Sequence, residues 1–428
     1  MQQYIGVLGV FAMLGIGWLL STDRRKVSLR IVVTGILLEV LLAWMCLRVP
    51  AAVWIVDVIA QGFNVVISAA DAGVAFIFGT KIGNSAGPWG FIFAVKVLPI
   101  IIFFASFMSV LYYLGIMQVI VAAVAVVIRR TLGITGLESL SAAANIFLGQ
   151  TEAPLCIKPY IATLTRSQLM CVMVCGFSTT AGSVLAAYVA MLGGESEAHR
   201  LLFAKHLIAA GVLSTFGGIV MAKIMLPETE TPRDESLASL RSEPQTASNV
   251  IDAAALGATD GLHLALNVAA MLIAFVSLLA LLNMTLTGIS SIGFVHAALE
   301  SAGIPALSFE YLLGVVFRPL AWLMGVPWNE CNFFGSLLGT QIIATEFVAY
   351  IKLGDAIQSG QVTPRTAQIA AYALCGFANL PSIAIQIGGL AAMAPERRKD
   401  LVAIGPRAMV AGALGCWITG AIVSIFIS

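Results

Sequence analysis

The stretch Ser141–Ile161, SAAANIFLGQTEAPLCIKPYI, decides how the rest of the chain is read. Two short apolar pieces flank a middle that carries Gly149, Gln150, Thr151, Glu152 and Pro154. A single continuous span would put a carboxyl group, an amide and a proline at its centre. Non-helical backbone at membrane depth is tolerated only where it is buried in protein or lines a cavity. The stretch therefore reads as a re-entrant hairpin whose tip meets a site.

That reading needs a membrane, and the composition supplies it. Of 428 residues, 59% are hydrophobic and only 11% are charged, against about 25% charged in a soluble domain. Several apolar runs reach the roughly 20 residues that cross a bilayer core. A net charge of +1 argues against a nucleic-acid footprint. The seven cysteines lie almost wholly within apolar runs and read as small buried hydrophobes, not as disulfides or metal ligands. The N-terminus lacks a basic region before its apolar core, so it reads as a retained span.

Hydropathy and punctuation predict eight spans: Tyr4–Leu20, Leu29–Leu47, Trp89–Ile128, Gln168–Leu192, Leu201–Leu226, Leu264–Ile289, Thr366–Met393 and Leu401–Ile427. Ala51–Ala70, with Asp57, Gln61 and Asn64 among apolar residues, suits a helix in the interface. Phe78–Gly90 is a Gly-rich loop with ordinary turn chemistry, and Pro227–Val250 is a polar linker. Basic clusters at Asp23–Arg30, Arg129–Arg130 and Glu396–Lys399 fall on one side, which places them in the cytoplasm and both termini outside.

A second segment also fails as a span. It runs from Tyr311–Glu330 to Cys331–Lys352, and its tip is expected near Asn329 and Glu330. An internal duplication links the two segments. Thr151–Lys158 (TEAPLCIK) matches Thr345–Lys352 (TEFVAYIK), Cys175-Gly176-Phe177 matches Cys375-Gly376-Phe377, and His206–Leu213 resembles Arg407–Leu414, all in order. Three crossings per unit force the second copy to insert upside down. The fold class is an all-α polytopic membrane protein, with eight spans, two re-entrant hairpins and interfacial helices in an inverted repeat. Paired hairpins and broken helices in inverted halves are a pattern of secondary transporters.

An ionisable residue within the membrane is a functional candidate by default. Glu152 and Glu330, near the expected tips, either meet a ligand or cap a broken helix. Glu346 and Lys352 read as structural partners within a hairpin arm. Glu39 and Lys96, outside the duplicated elements, read as structural or lipid-facing. Cys175–Ser183 (CGFSTTAGS) and Cys375–Ser382 (CGFANLPS) put a polar break in the span after each hairpin, where freed carbonyls could hold a cation or a substrate. Carboxylates, amides and hydroxyls suit a neutral solute rich in OH and NH donors: a sugar, a nucleoside or a base. The sequence offers no nucleophile–base pair or metal spacing, so it does not read as an enzyme. Polarity confined to tips and breaks argues against a channel.

At these residues the chain resembles the concentrative nucleoside transporters. GQTEAPL (149–155), MGVPWNE (324–330), EFVAY (346–350) and CGFANLPSIAIQIGG (375–389) carry the resemblance, in the shorter eight-span bacterial form. It implies an inner-membrane homotrimer that imports nucleosides such as uridine with Na⁺ or H⁺, each protomer moving a transport domain against a scaffold. The divisions expected are residues 1–128 as scaffold, 129–226 as first transport repeat, 227–263 as cytoplasmic linker, 264–300 as scaffold span six and 301–428 as second transport repeat. The resemblance puts Gln150, Thr151, Glu152 and Val184 at the nucleobase, and Glu330, Asn379 and Ser382 at the ribose, with Phe377 lining the pocket. It puts Na⁺ at the side chains of Asn145 and Thr179 and the carbonyls of Leu148 and Thr180. Retention of Asn145 and Thr179 favours sodium; the alternative is a proton-coupled nucleoside or nucleobase symporter. Gln341 stands where the family has Lys and Thr345 where it has Asn.

Overall fold

The computed structural model describes residues 2–83, 92–194, 196–232, 234, 247–301 and 307–427, and among these every regular element is helical. Seven helices are long and apolar enough to cross a membrane: Leu29–Arg48, Pro50–Phe78, Phe93–Tyr113, Arg166–Gly193, Glu197–Met225, Val250–Ser290 and Pro395–Phe426. Two shorter apolar helices, Tyr4–Leu19 and Leu380–Met393, coincide with expected spans. The chain is an all-helical, multi-pass membrane protein.

Boundaries differ from expectation in three places. The long third span is two helices, Leu98–Tyr113 and Ile116–Leu132, parted at Gly115, whose φ of 79° is a left-handed conformation that glycine adopts without Cβ strain. The helix expected from Leu264 begins at Val250, where Asn249 caps it, and runs 41 residues, so the expected linker ends earlier. The interfacial segment is one 29-residue helix, Pro50–Phe78, longer than the expected Ala51–Ala70 and meeting the length and hydropathy of a crossing. Its Asp57 is not a free polar face: it pairs with Lys205 at 2.7 Å. Most of the Gly-rich loop and of the polar linker lies outside the described residues.

Small residues set the packing. Val250–Ser290 lies on Leu98–Tyr113 through Gly257 and Gly261, one helical turn apart. A Cβ at Gly257 would fall 2.5 Å from Ser109 Cβ, and one at Gly261 2.8 Å from Ala105 Cβ. Without a hydrophobic drive between helices in lipid, such close approach is what gains dispersion energy. A second body is built around Glu197–Met225 and Arg398–Phe426, which cross at Gly217–Gly218 and Gly415; a Cβ on Gly217 would lie 2.7 Å from the Gly415 carbonyl. The first two helices, Gln2–Leu19 and Leu29–Arg48, pack on this second body.

Candidate functional site

Each repeat contributes a hairpin and a broken helix. In the first, Thr135 and Glu138 form a capping box that starts the arm Gly136–Asn145. The chain turns at Ile146–Glu152 and returns as the 3₁₀ helix Ala153–Thr163. Glu138, buried, pairs with buried Lys223 at 2.5 Å, and Lys223 also donates to Ser167 Oγ at 3.1 Å, which anchors the arm to Glu197–Met225. The span that follows, Arg166–Ser178, stops at Thr179–Ala181 and resumes as Gly182–Gly193.

The hairpin tip is tied to that break. The Gly182 N–H donates to the Phe147 carbonyl at 3.1 Å, so the Asn145–Leu148 segment and the Thr179–Ala181 break are held together. Asn145 is fully buried; its Nδ2 donates to the Ser141 carbonyl at 3.0 Å, while its Oδ1 has no partner. A buried polar atom left unpaired costs about 1–3 kcal/mol, which a hard cation would recover. Thr179 donates to the Cys175 carbonyl at 2.8 Å, leaving its oxygen lone pairs as acceptors. Thr180, also buried, has its hydroxyl 3.7 Å from Cys375 Sγ of the other repeat. Neutral amide, hydroxyl and carbonyl oxygens are the donor set a monovalent hard cation takes, so these residues fit Na⁺.

Gln150, Thr151 and Glu152 occupy the tip. Gln150 is buried with Oε1 unpartnered, and it packs on Gly176, where a Cβ would fall 2.9 Å from the Gln150 Cβ. Thr151 packs on Gly389 of the second broken helix, within 2.8 Å of where its Cβ would stand. The Glu152 carboxylate accepts from the Gly149 N–H at 2.5 Å, capping its own turn, and faces a cavity of about 410 Å³. Tyr112 and Asp260, from the pair Leu98–Tyr113 and Val250–Ser290, line the opposite side. Of the other expected residues only Leu148 lines it. Val184, 1% exposed, lies one turn from Tyr188 on Gly182–Gly193.

The second repeat changes one expected assignment. The expected tip near Asn329 and Glu330 is instead a turn between Phe309–Leu323 and Cys331–Ile343, the two most closely packed helices of this half. The position matching the first tip is Ala344–Glu346, between Cys331–Ile343 and Glu346–Gln358. Glu330 accordingly points elsewhere: its carboxylate accepts from the Thr363 N–H at 3.3 Å and the Thr363 hydroxyl at 3.2 Å, at the start of Pro364–Ala373. It does not meet Asn379. Glu346 does. Glu346 accepts from Asn379 Nδ2 at 2.6 Å and from the Tyr188 hydroxyl at 2.8 Å, and is buried. By its place in a hairpin arm Glu346 reads as structural, although the duplication pairs it with Glu152.

The second break matches the first. Pro364–Ala373 ends, the chain crosses Leu374–Ala378, and Leu380–Met393 begins with Asn379 as cap, its Oδ1 accepting from the Ser382 N–H at 2.8 Å. Pro381 sits in that first turn, where no N–H is needed. Phe377 is half-buried and Ser382 is buried. Gln341 donates to the carbonyls of Leu374 and Gly376 at 3.3 and 3.2 Å, so a neutral amide secures the break. Thr345 caps Glu346–Gln358.

Residues 206–424 match the profile described as Na⁺ dependent nucleoside transporter C-terminus, residues 8–81 the corresponding N-terminus, and residues 94–195 a gate profile described as nucleoside recognition. The nucleoside permease NupC of Helicobacter pylori is 37% identical over 432 residues, which are 100% of this chain and 98% of that protein. Human solute carrier family 28 member 3 is 36% identical over 440 residues, 100% of this chain and 60% of that longer protein. Among solved structures, CNTnw in an inward-facing substrate-bound state superposes with a TM-score of 0.89 at 39% identity, covering 100% of this chain and 98% of that one.

Proposed function

Because the chain belongs to the Na⁺-dependent nucleoside transporter family, we propose that it is a sodium-coupled importer of nucleosides that works by elevator-type alternating access. The observation that carries the reading is the contact of two turns with the broken helices: Gln150 against Gly176, Thr151 against Gly389, and Glu346 against Asn379 and Tyr188. The nucleobase is assigned to Gln150, Thr151, Glu152 and Val184, and the ribose to Glu346, Asn379 and Ser382, with Phe377 beside it. A carboxylate only accepts, whereas an amide donates and accepts, which is the complement of sugar hydroxyls. Glu346 takes the ribose role expected of Glu330, since Glu330 bonds Thr363 and not Asn379.

Na⁺ is assigned to Asn145 and Thr179 side chains and the Leu148 and Thr180 carbonyls. Its supply of positive charge would order the first tip against the first break, completing the nucleobase side of the pocket. The expected division put residues 1–128 in the scaffold; because the first two helices pack on Glu197–Met225 and Arg398–Phe426, they are assigned instead to the moving body with both repeats, and the frame comprises Leu98–Tyr113 and Val250–Ser290, which pair through Gly257 and Gly261. Association as a homotrimer in a bacterial inner membrane, with both termini on the periplasmic side, completes the assignment.

The test is uptake of radiolabelled uridine into proteoliposomes. An inward Na⁺ gradient is compared with K⁺ plus an inward proton gradient. Uptake that needs Na⁺ and is lost in Glu152→Gln supports the reading. Uptake driven by protons alone overturns the sodium assignment, and no uptake by folded protein overturns uridine as substrate.

A further inference from the structure

Glu39 lies in Leu29–Arg48, outside both repeats, and it is neither lipid-facing nor paired. It is 0% exposed, and among the described residues no ion pair includes it. Its surroundings are built around one hydroxyl. Thr419 Oγ1, from Arg398–Phe426, lies 2.6 Å from Glu39 Oε1 and 3.1 Å from the Gly415 carbonyl. A hydroxyl has a single hydrogen to donate. If Glu39 were ionised, Thr419 would face two acceptors and could serve only one. If Glu39 carries a proton, its O–H donates to Thr419 and Thr419 donates to Gly415, and both short contacts become hydrogen bonds.

The remaining surroundings agree with a neutral acid. Glu39 Oε2 is buried with no hydrogen-bond partner among the described residues, a position that would leave half of a carboxylate's charge unsolvated. From Glu197–Met225 the face presented is Gly217, where a Cβ would stand 3.3 Å from both carboxyl oxygens, so the edge is closed by backbone. From Arg398–Phe426 the titratable neighbour is the Cys416 thiol. On the other packed helices, Asp57 pairs with Lys205, Asp71 with Lys96, Lys223 with Glu138 and Arg129 with Asp234, and none of these ion pairs includes Glu39.

We propose that Glu39 is a proton-binding site that latches Leu29–Arg48 onto the helix crossing beneath the first break. The crossing connects directly to that break. Ser178 Oγ occupies the space against Gly218, 2.3 Å from where its Cβ would be, and the Cys416 thiol lies 3.2 Å from the Ser178 carbonyl. Ser178 immediately precedes Thr179, an assigned Na⁺ ligand. Loss of the proton would place an unpaired charge at the Gly217–Gly415 contact, spread the crossing and disturb the cation ligands. Alkaline pH therefore weakens Na⁺ binding; this second step rests on the sodium-coupled reading, whereas the proton site itself does not.

The experiment is infrared spectroscopy of the purified protein in liposomes, with Na⁺ dependence of uridine uptake measured across pH. The expected result is a deuterium-sensitive band of a protonated carboxyl at neutral pH that is missing from Glu39→Gln. Thr419→Val, which removes the acceptor, shifts that band. The Na⁺ concentration for half-maximal uptake rises with pH in wild type, by about tenfold per unit once the site titrates, and stays flat in Glu39→Gln. Spectra of wild type and Glu39→Gln that superimpose, or a band unmoved by Thr419→Val, overturn the proton site. A band present in choline but lost in Na⁺ makes the occupant sodium and overturns it as well. A pH dependence unchanged in Glu39→Gln overturns the latch. Absence of Na⁺-driven uptake refutes the transport reading and leaves the infrared result to stand or fall by itself.

Discussion

Replacing Glu346 with Gln separates the two candidate ribose carboxylates. Both partners of Glu346 are donors: Asn379 Nδ2 at 2.6 Å and the Tyr188 hydroxyl at 2.8 Å. A carboxylate accepts from both, but a Gln amide can accept at one oxygen and must present its NH₂ to the other donor. One hydrogen bond to a charged group is lost, a change of about 1.5–3 kcal/mol. On the ribose assignment the carboxylate accepts from ribose hydroxyls in the bound state, so a loss of the same size falls on binding, and since about 1.4 kcal/mol is tenfold in an equilibrium constant, nucleoside affinity should fall about ten- to a hundredfold. Asn379 also caps Leu380–Met393 through Ser382, so freeing its amide unsettles the start of that helix too. The assay is equilibrium binding of radiolabelled uridine to purified protein, scaled to the folded fraction. Glu330→Gln is the control. A Gln oxygen still accepts from Thr363 at the start of Pro364–Ala373, so it should cost about 1 kcal/mol of stability and leave affinity near wild type. If Glu330→Gln weakens binding as much as Glu346→Gln, or Glu346→Gln binds normally, the assignment is wrong.

Asn145→Ala should raise the Na⁺ concentration for half-maximal uridine uptake about tenfold or more, the effect of losing one ligand worth about 1.4 kcal/mol. Its melting temperature should fall only by the worth of one neutral hydrogen bond, Nδ2 to the Ser141 carbonyl, offset in part by removal of the unpartnered Oδ1. Lys223→Met strands Glu138 in the core and should destabilise by about 3–5 kcal/mol; thermal unfolding should show most of that loss recovered in the double variant with Glu138→Gln. Gly376→Ala places a Cβ 2.6 Å from the Phe177 carbonyl and 2.7 Å from Cys416 Sγ. Overpacking of about 1–3 kcal/mol should lower the melting temperature and slow uptake together.

The elements legible in the sequence were those with a composition signature. Apolar runs gave the spans, and the polar interruptions Cys175–Ser183 and Cys375–Ser382 contain the observed break at Thr179–Ala181 and all but the first residue of that at Leu374–Ala378. The break at Gly115 was illegible, because a lone glycine in an apolar run does not say whether its φ turns positive. The second tip was misplaced for a different reason. MGVPWNE has the strong turn punctuation of Gly, Pro and Asn, while Ala344–Thr345 has almost none, so local turn chemistry pointed to Glu330. The duplication pointed to Glu346, since Thr345-Glu346 matches Thr151-Glu152. Tyr188 carried no sequence signal, because an isolated aromatic in a buried helix reads as core.

The duplication also separates packing from chemistry. Cys175-Gly176-Phe177 and Cys375-Gly376-Phe377 are identical in the two halves, and the structure brings them to one crossing. A Cβ on Gly376 would meet the Phe177 carbonyl, Cys416 Sγ lies 3.1 Å from the Cys375 carbonyl, and the Thr180 hydroxyl lies beside Cys375 Sγ. Two backbones can approach that closely only where side chains are small, which accounts for Gly376 at the crossing, whereas its counterpart Gly176 makes room for Gln150 and Gln386. The residues just after the triplet are under no such demand, and there the halves diverge. Ser178-Thr179-Thr180 keeps hydroxyls and carbonyls beside the orphaned Asn145 oxygen, a set of acceptors fit for a cation. Ala378-Asn379-Leu380-Pro381 puts an amide between Glu346 and the next helix, a donor and acceptor fit for hydroxyls. The two breaks thus meet in direct backbone contact at Phe177 and Gly376, so a shift in one is felt by the other.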